Sequence, residues 1–308
     1  MENGYPQADS VSSHINHHQR TTAMSLSLHP EPRGDYRNAR FLALASDLAY
    51  EPEVDAQPKY RELLGLDARL IGVNNTQAYV ATSSEAIVVA FRGTENPATL
   101  DGLKDWLVTN ALNLLVLPQG RLGTDFAAAG VGARFHQGFL NALADIWEPV
   151  LALVEVEFNQ RERPIWVTGH SLGGALATLA GWLFTRKMLP VQAIYTFGAP
   201  MVGNKQAMEG FDRDIGSITF RYVDIDDPIP RLPTMSLIAN AYTHCKQEKQ
   251  LGSTASGVSE SLSMFGQVPG QTADGLIKGK VVDDLWKEVN RRVNCHMMAS
   301  YRSKLPEA

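Results

Sequence analysis

Apolar positions in the first third of the chain change from helical to strand spacing. Between residues 40 and 49 they recur at intervals typical of a helix, and a second short helical pattern covers 61–66. Three runs of alternating or continuous apolar residues follow and predict consecutive strands over 70–73, 78–82 and 86–91. The sheet is therefore expected to begin early, directly after two helices.

Helices and strands alternate in the middle of the chain. The pattern predicts helices over 138–155 and 172–184, and strands over 164–167, 191–197 and 218–223. Such alternation is typical of a mostly parallel sheet with right-handed crossovers, in which functional residues lie at the carboxyl ends of the strands. We therefore expect an α/β fold with helices on both sides of a central sheet.

Two segments depart from this pattern. Residues 1–35 are polar and turn-rich, so we expect a disordered tail before a single domain over 36–308. The histidine cluster of this tail is more typical of low-complexity sequence than of a metal site. Residues 247–281 are dominated by Gly, Ser and polar residues and predict an excursion on the surface, after which helical spacing returns over 283–301.

Composition narrows the class of protein. With 308 residues, 44% of them hydrophobic, the chain can bury a large core, and a net charge of -5 with scattered basic residues argues against a nucleic-acid partner. Two cysteines, Cys245 and Cys295, are too few for a disulfide framework and predict free thiols. No signal-like segment and no apolar run near the ~20 residues of a membrane span is visible. We expect a cytoplasmic location, or secretion if a native signal precedes this sequence.

One serine stands between glycines where a predicted strand meets a predicted helix. The segment is Gly169-His170-Ser171-Leu172-Gly173-Gly174. A Cβ at Gly169 or Gly173 would collide with the neighbouring strand or helix, so a sharp turn explains these glycines. The turn would present the Ser171 hydroxyl and aim the Leu172 N–H at a negative charge on a substrate oxygen. The segment predicts a nucleophile elbow.

Further motifs flank this elbow in a fixed order. They are Val88-Val89-Ala90-Phe91-Arg92-Gly93-Thr94, His136-Gln137-Gly138-Phe139, Tyr195-Thr196-Phe197-Gly198-Ala199-Pro200, Asp227-Pro228-Ile229-Pro230-Arg231-Leu232-Pro233, and His296 followed by Tyr301. Together they resemble the motifs of the class 3 lipase family over about residues 36–301. The resemblance implies an α/β-hydrolase fold, a Ser-Asp-His triad, an oxyanion hole and a mobile lid.

Two histidines compete for the role of base. A serine hydroxyl needs a base within hydrogen-bond reach, and in α/β-hydrolases this histidine follows the serine and the acid in the chain. His170 is excluded because adjacent elbow residues point apart. His244 lies in a predicted strand, whereas His296 lies where the family has its base. The resemblance assigns the role to His296, although Cys295 stands where the family often has Asp.

Three carboxylates compete for the role of acid. Asp224, Asp226 and Asp227 all follow a predicted strand, and the prolines at 228 and 230 would stiffen the loop that holds the acid. Asp227 matches the family's acid, immediately before the Pro-Ile-Pro run. We expect the other two to be solvated loop charges.

The resemblance also implies an oxyanion hole and a lid. Thr94 matches the family residue that supplies a backbone N–H and a hydroxyl, beside the Leu172 N–H, and His136 is expected to be structural. The amphipathic stretch over 95–108 lies where the family has its lid, and 110–117 is expected to be a strand.

These residues predict a hydrolase that cleaves fatty-acyl esters such as acylglycerols, with no metal or organic cofactor and with transient contact to a lipid surface through the lid. A phospholipase A1, a mono- or diacylglycerol lipase or a short-chain carboxylesterase would use the same constellation. A peptidase or thioesterase stays open, and so does a non-catalytic lipase-like scaffold that binds partners. The sequence gives no indication of oligomeric state.

Overall fold

A computed structural model provides the fold, and it describes residues 1, 26–31, 33–94, 115–232, 242–252, 287 and 290–307. Its helices are α1 (Tyr36–Leu48), α2 (Glu53–Leu64), α3 (Gly123–Ala127), α4 (Gln137–Gln160), α5 (Leu172–Arg186), α6 (Lys205–Ile215), α7 (Val293–His296) and α8 (Met298–Lys304). A turn of 3-10 helix covers Ile229–Arg231.

The strands are β1 (Asp67–Val73), β2 (Thr76–Thr82), β3 (Ile87–Phe91), β4 (Leu115–Val116), β5 (Phe135–His136), β6 (Ile165–His170), β7 (Val191–Phe197), β8 (Gly203–Asn204), β9 (Thr219–Asp224), β10 (Tyr242–Thr243) and β11 (Glu248–Leu251). Seven of them form the main sheet in the order β1-β2-β3-β6-β7-β9-β11. The pairs β1–β2 and β2–β3 are antiparallel, and every pair from β3 to β11 is parallel. The predicted, mostly parallel sheet is therefore confirmed.

The side chains of alternate residues in the central strands pack into two separate cores. Val89 and Val167 face a core built with α4, α5 and α6, whereas Val88 and Trp166 face the opposite core built with α1, α2 and α8. All five residues of β3 are buried, because helices cover both faces of the sheet there. The continuous apolar runs in the sequence reflect this double coverage.

The small second sheet lies beside the main one and has the order β10-β8-β5-β4. Each of its strands has two residues, which is too short for the alternation of apolar and polar positions to reveal them. Of the strand predicted over 110–117, residues 115 and 116 form β4, and 110–114 lie outside the described residues.

The end of the predicted tail contacts the main sheet. The Gly34 N–H donates to the Tyr195 hydroxyl at 2.7 Å, and the Tyr222 hydroxyl donates to the Gly34 carbonyl at 3.0 Å. Backbone groups make these bonds, so the polar composition of the segment did not reveal them. The predicted tail over 2–25 lies outside the described residues.

The segment predicted as a surface excursion begins with a strand of the main sheet. Residues 248–251 form β11, which pairs in parallel with β9 at the edge of the sheet. Its mixed polar sequence fits an edge strand, because one side of such a strand stays in water. The remainder of the excursion, 253–281, and the predicted lid over 95–108 lie outside the described residues.

Among the helices that the structure describes, none combines the length and the apolar composition that crossing a bilayer requires.

Asp35 caps the first helix, and we predict that its loss destabilises the fold. Its side chain accepts hydrogen bonds from the backbone N–H groups of Arg37 and Asn38. We expect Asp35→Ala to lower the free energy of unfolding by about 1 kcal/mol, since loss of a cap leaves these donors without their partner. Urea denaturation measures this change. Glu62→Ala, at an exposed position within α2, is the matched control and should cost less than about 0.5 kcal/mol; equal effects would contradict the cap.

Candidate active site

Ser171 occupies the turn between β6 and α5 in a backbone conformation that few residues adopt. Its φ is 56° and its ψ is -128°. The Ser171 N–H donates to the Phe197 carbonyl at 2.9 Å, so the neighbouring strand β7 holds the turn in place. Positive φ at a residue with a side chain costs of order 1–3 kcal/mol and is found mostly where function requires it. The geometry is that of the predicted elbow.

The glycines around this turn are required by contact with other backbone atoms. A Cβ on Gly169 would lie 2.2 Å from the Gly173 carbonyl oxygen, and a Cβ on Gly173 would lie 2.1 Å from the Phe91 carbonyl oxygen. Neither neighbour is a flexible side chain that could move aside. The collision predicted from the sequence is therefore present on both sides of Ser171.

His296 hydrogen-bonds to Ser171 and Asp227 at the same time. Its Nε2 lies 2.8 Å from Ser171 Oγ, and its Nδ1 lies 2.8 Å from Asp227 Oδ2. All three side chains are buried. A carboxylate accepts hydrogen bonds and does not donate them, so Nδ1 carries the proton and Nε2 is free to accept the serine proton. The structure thus brings together the three residues predicted from the sequence.

Two further donors hold the Asp227 carboxylate. The Ile229 N–H donates to Oδ1 at 2.9 Å, and the Tyr301 hydroxyl donates to Oδ2 at 2.6 Å. Burial, followed by the charge of Asp227, raises the pKa of Tyr301 well above its usual value, so the phenol keeps its proton. The sequence placed Tyr301 by its spacing from His296 but gave no reason for its contact with the acid.

The rival base and acids lie in other surroundings. His244 Nε2 contacts the Pro230 carbonyl, and burial lowers the pKa of His244 to about 3, so it stays neutral beneath the 3-10 turn. Asp224 is fully buried and pairs with Lys304 Nζ at 2.5 Å, which corrects the expectation of a solvated loop charge. Asp226 is partly exposed, as expected.

The two predicted oxyanion donors flank the elbow. Leu172 is the first residue of α5, where backbone N–H groups have no partner within the helix. The end of β3 lies beside the start of α5, where the Phe91 carbonyl packs against Gly173. Three residues later, Thr94 Oγ1 is buried and has no hydrogen-bond partner in the described part of the chain. An unpaired buried hydroxyl is costly unless a ligand pairs with it.

His136 has a structural role, as expected. Its Nδ1 accepts from the Phe139 N–H at 3.3 Å and caps α4, while the two rings stack with their centroids 3.9 Å apart. Cys245 and Cys295 are free thiols. The described residues contain no group of three or more His, Cys, Asp or Glu side chains that could hold a metal ion.

Residues 88–237 match the family model described as lipase (class 3). The chain is 35% identical over 178 residues to secreted mono- and diacylglycerol lipase 1 of Fusarium solani, a match that covers 56% of this chain and 46% of the relative. It is 29% identical over 160 residues to the chloroplastic phospholipase A(1) DAD1 of Arabidopsis thaliana, covering 49% of this chain and 34% of that protein. The chain thus spans less than half the length of either curated relative.

A solved triacylglyceride lipase from Rhizomucor miehei shares the fold. It superposes with a TM-score of 0.53 at 22% sequence identity, covering 76% of this chain and 89% of the solved chain. The α/β-hydrolase fold expected from the sequence is therefore confirmed. Over residues 88–237, about half of its length, the chain is therefore similar to the class 3 lipase family.

Proposed function

We propose that the protein hydrolyses carboxylic esters of fatty acids, with acylglycerols as its substrate class. One observation carries the proposal: a buried imidazole, His296, bonds to the hydroxyl of Ser171 and to the carboxylate of Asp227. This arrangement activates a hydroxyl as a nucleophile toward acyl groups. The names of the Fusarium and Arabidopsis relatives, a mono- and diacylglycerol lipase and a phospholipase, favour lipid esters over peptides.

The first half of the proposed reaction forms an acyl-enzyme. Ser171 Oγ attacks the ester carbonyl carbon while its proton passes to His296 Nε2, and the carbonyl oxygen becomes negatively charged. Leu172 N–H and Thr94 donate to this oxygen, and ionised Asp227 stabilises the imidazolium. The tetrahedral adduct then collapses: the bond to the alcohol oxygen breaks, His296 returns its proton to that oxygen, and the acyl group remains on Ser171.

The second half uses water and restores the enzyme. A water molecule attacks the acyl carbon and gives a proton to His296 Nε2, and a second oxyanion forms at the same donors. Collapse of this adduct breaks the bond to Ser171 Oγ, which takes the proton back as the fatty acid leaves. Every proton that moves in this scheme is carried by His296, so no cofactor takes part in either half.

The lid over 95–108 forms part of the proposal. It directly follows Thr94, so its movement would open or cover the oxyanion donors and the acyl-binding surface. An amphipathic lid presents its apolar face to a lipid surface when it opens, which suits an emulsified substrate. The cytoplasmic location stays a prediction, since the Fusarium relative is named as a secreted protein.

Phospholipase A1 activity is the second candidate, favoured by the Arabidopsis relative's name. A short-chain esterase would use the same triad without a need for the lid. A non-catalytic scaffold is disfavoured, because the three side chains stand in hydrogen-bond contact rather than apart.

One prediction of this function concerns the substrate class. Wild type should hydrolyse p-nitrophenyl esters and emulsified glycerides, and the rate should rise steeply once the substrate exceeds its solubility and forms an interface. Ser171→Ala should lose this activity, by a factor of the order of 10⁶ as for other serine triads. A pH-stat measures both. Three outcomes would contradict this prediction. Smooth saturation on monomeric short esters would contradict the lid, and faster cleavage of phospholipid than of glyceride would contradict the acylglycerol preference. Undiminished activity of Ser171→Ala would contradict the triad.

Another prediction of this function concerns the Thr94 hydroxyl. We expect Thr94→Val to lower kcat roughly 100-fold to 1000-fold, the usual cost of one oxyanion donor, with little change in KM. Thr94→Ser keeps a hydroxyl and should retain most of the activity. Thr196→Val is the matched control, because Thr196 Oγ1 is also buried without a partner in the described residues but lies within β7. A kcat for Thr94→Val equal to that of Thr196→Val would contradict the assignment.

A further inference from the structure

His170 makes two hydrogen bonds that the proposed reaction does not use. This residue precedes Ser171, and its ring is buried. Its Nδ1 lies 2.8 Å from the Tyr50 hydroxyl, and its Nε2 lies 2.6 Å from the backbone carbonyl oxygen of His296. The ring therefore connects the residue next to the nucleophile with the backbone of the base.

The partners of His170 determine where its proton lies. A carbonyl oxygen can only accept, so Nε2 must carry the hydrogen that it donates to His296. Burial, and then the nearby His296, lowers the pKa of His170 well below its usual value, so the ring is neutral and Nδ1 has a free lone pair. Burial raises the pKa of Tyr50, so its phenol keeps the proton that it donates to Nδ1.

A neutral His170 also favours the positive charge that His296 acquires as the base. The ring centroids of His170 and His296 are 4.6 Å apart. A positive charge on His170 at that distance would destabilise the imidazolium that forms on His296 when Ser171 attacks. The bond to Tyr50 keeps Nδ1 of His170 occupied as an acceptor and so favours the neutral form.

The Tyr50 hydroxyl reaches the oxyanion loop as well. Gly93, which directly precedes Thr94, packs closely against this oxygen. A Cβ on Gly93 would lie 2.0 Å from Tyr50 Oη and 2.8 Å from the His170 carbonyl oxygen. Hydrogen bonds thus run from Tyr50 through His170 to the backbone of His296, and the Tyr50 hydroxyl packs against Gly93 at the start of the oxyanion loop.

The bond from His170 gives the backbone of His296 a tertiary contact. His296 is the last residue of α7, which has four residues, and a helix of that length is not held together by its own hydrogen bonds. The side chain of His296 must nevertheless meet two partners at hydrogen-bond distance. The bond from His170 to the His296 carbonyl fixes the backbone from which that side chain extends.

We propose that Tyr50 and His170 are a positioning pair that holds His296 and the Gly93–Thr94 loop in the correct position relative to Ser171. The inference rests on the proposed ester hydrolysis, and the pair contacts neither the ester nor the transferred proton. Loss of the pair should therefore slow acylation without weakening substrate binding.

The test compares two tyrosines that each lose one buried hydroxyl. Tyr50→Phe removes the donor to His170 and keeps the ring, whereas Tyr60→Phe removes a hydroxyl that donates to the Ala45 carbonyl at 2.6 Å, away from the site. Activity on a soluble short-chain p-nitrophenyl ester is expressed per Ser171 site titrated with a fluorophosphonate. We expect Tyr50→Phe to lower kcat per site about 10- to 100-fold at unchanged KM, as misplaced catalytic groups do. Tyr60→Phe should show a similar fall in Tm and an unchanged kcat.

A second pair of variants tests the bond to the base. His170→Gln keeps an N–H that can donate to the His296 carbonyl, and His170→Leu does not. We expect kcat per site to be higher in the Gln variant than in the Leu variant. Equal kcat values for Tyr50→Phe and Tyr60→Phe in an active wild-type background would overturn this inference alone. A wild type that neither cleaves the ester nor reacts with the fluorophosphonate would contradict the proposed function itself.

Discussion

The sharp turn at Ser171 is the constraint on which the rest of the site depends. Its positive φ is unfavourable for a residue with a side chain, so the surrounding structure must hold it. Strand β7 does so through the bond from the Ser171 N–H to Phe197, and the close approach of Gly173 to Phe91 fixes the helix that follows. The two cores on either side of the sheet hold these elements, so the packing of the whole domain maintains the turn.

Parallel strands explain how residues distant in sequence meet at this turn. Ser171 follows β6, Asp227 lies in the loop after β9, and both strands end at the same edge of the sheet. His296 comes 125 residues after Ser171 and reaches it from α7. Because the site is buried, each polar group needs a partner: Ile229 and Tyr301 supply those of the acid. The buried Thr94 hydroxyl has no partner among the described residues, and an oxyanion would supply one.

Much of this could be predicted from the sequence, for identifiable reasons. Strand β7 has the predicted bounds and the central strands were found, since strands covered on both faces are continuously apolar. The elbow was visible because backbone contact on two sides permits only glycine. His296 and Asp227 were selected through the order of motifs and a family resemblance, since nothing in periodicity distinguishes them from His244 or Asp224.

The remaining features depend on tertiary contacts without a local signal. The burial of Asp224 follows from its pairing with Lys304, 80 residues later in the chain. The bond between Tyr50 and His170 joins residues 120 positions apart, and neither a motif nor a spacing predicts it. Gly34 is anchored through its backbone, which composition cannot reveal.

The most direct test of the activated serine is the mass-spectrometric mapping of a fluorophosphonate adduct. The folded protein should form one adduct, on the peptide that contains Ser171, and the protein unfolded in urea should form none, because a serine without its histidine is a poor nucleophile. An adduct on a different serine, or equal labelling of folded and unfolded protein, would contradict the claim that His296 and Asp227 activate this hydroxyl.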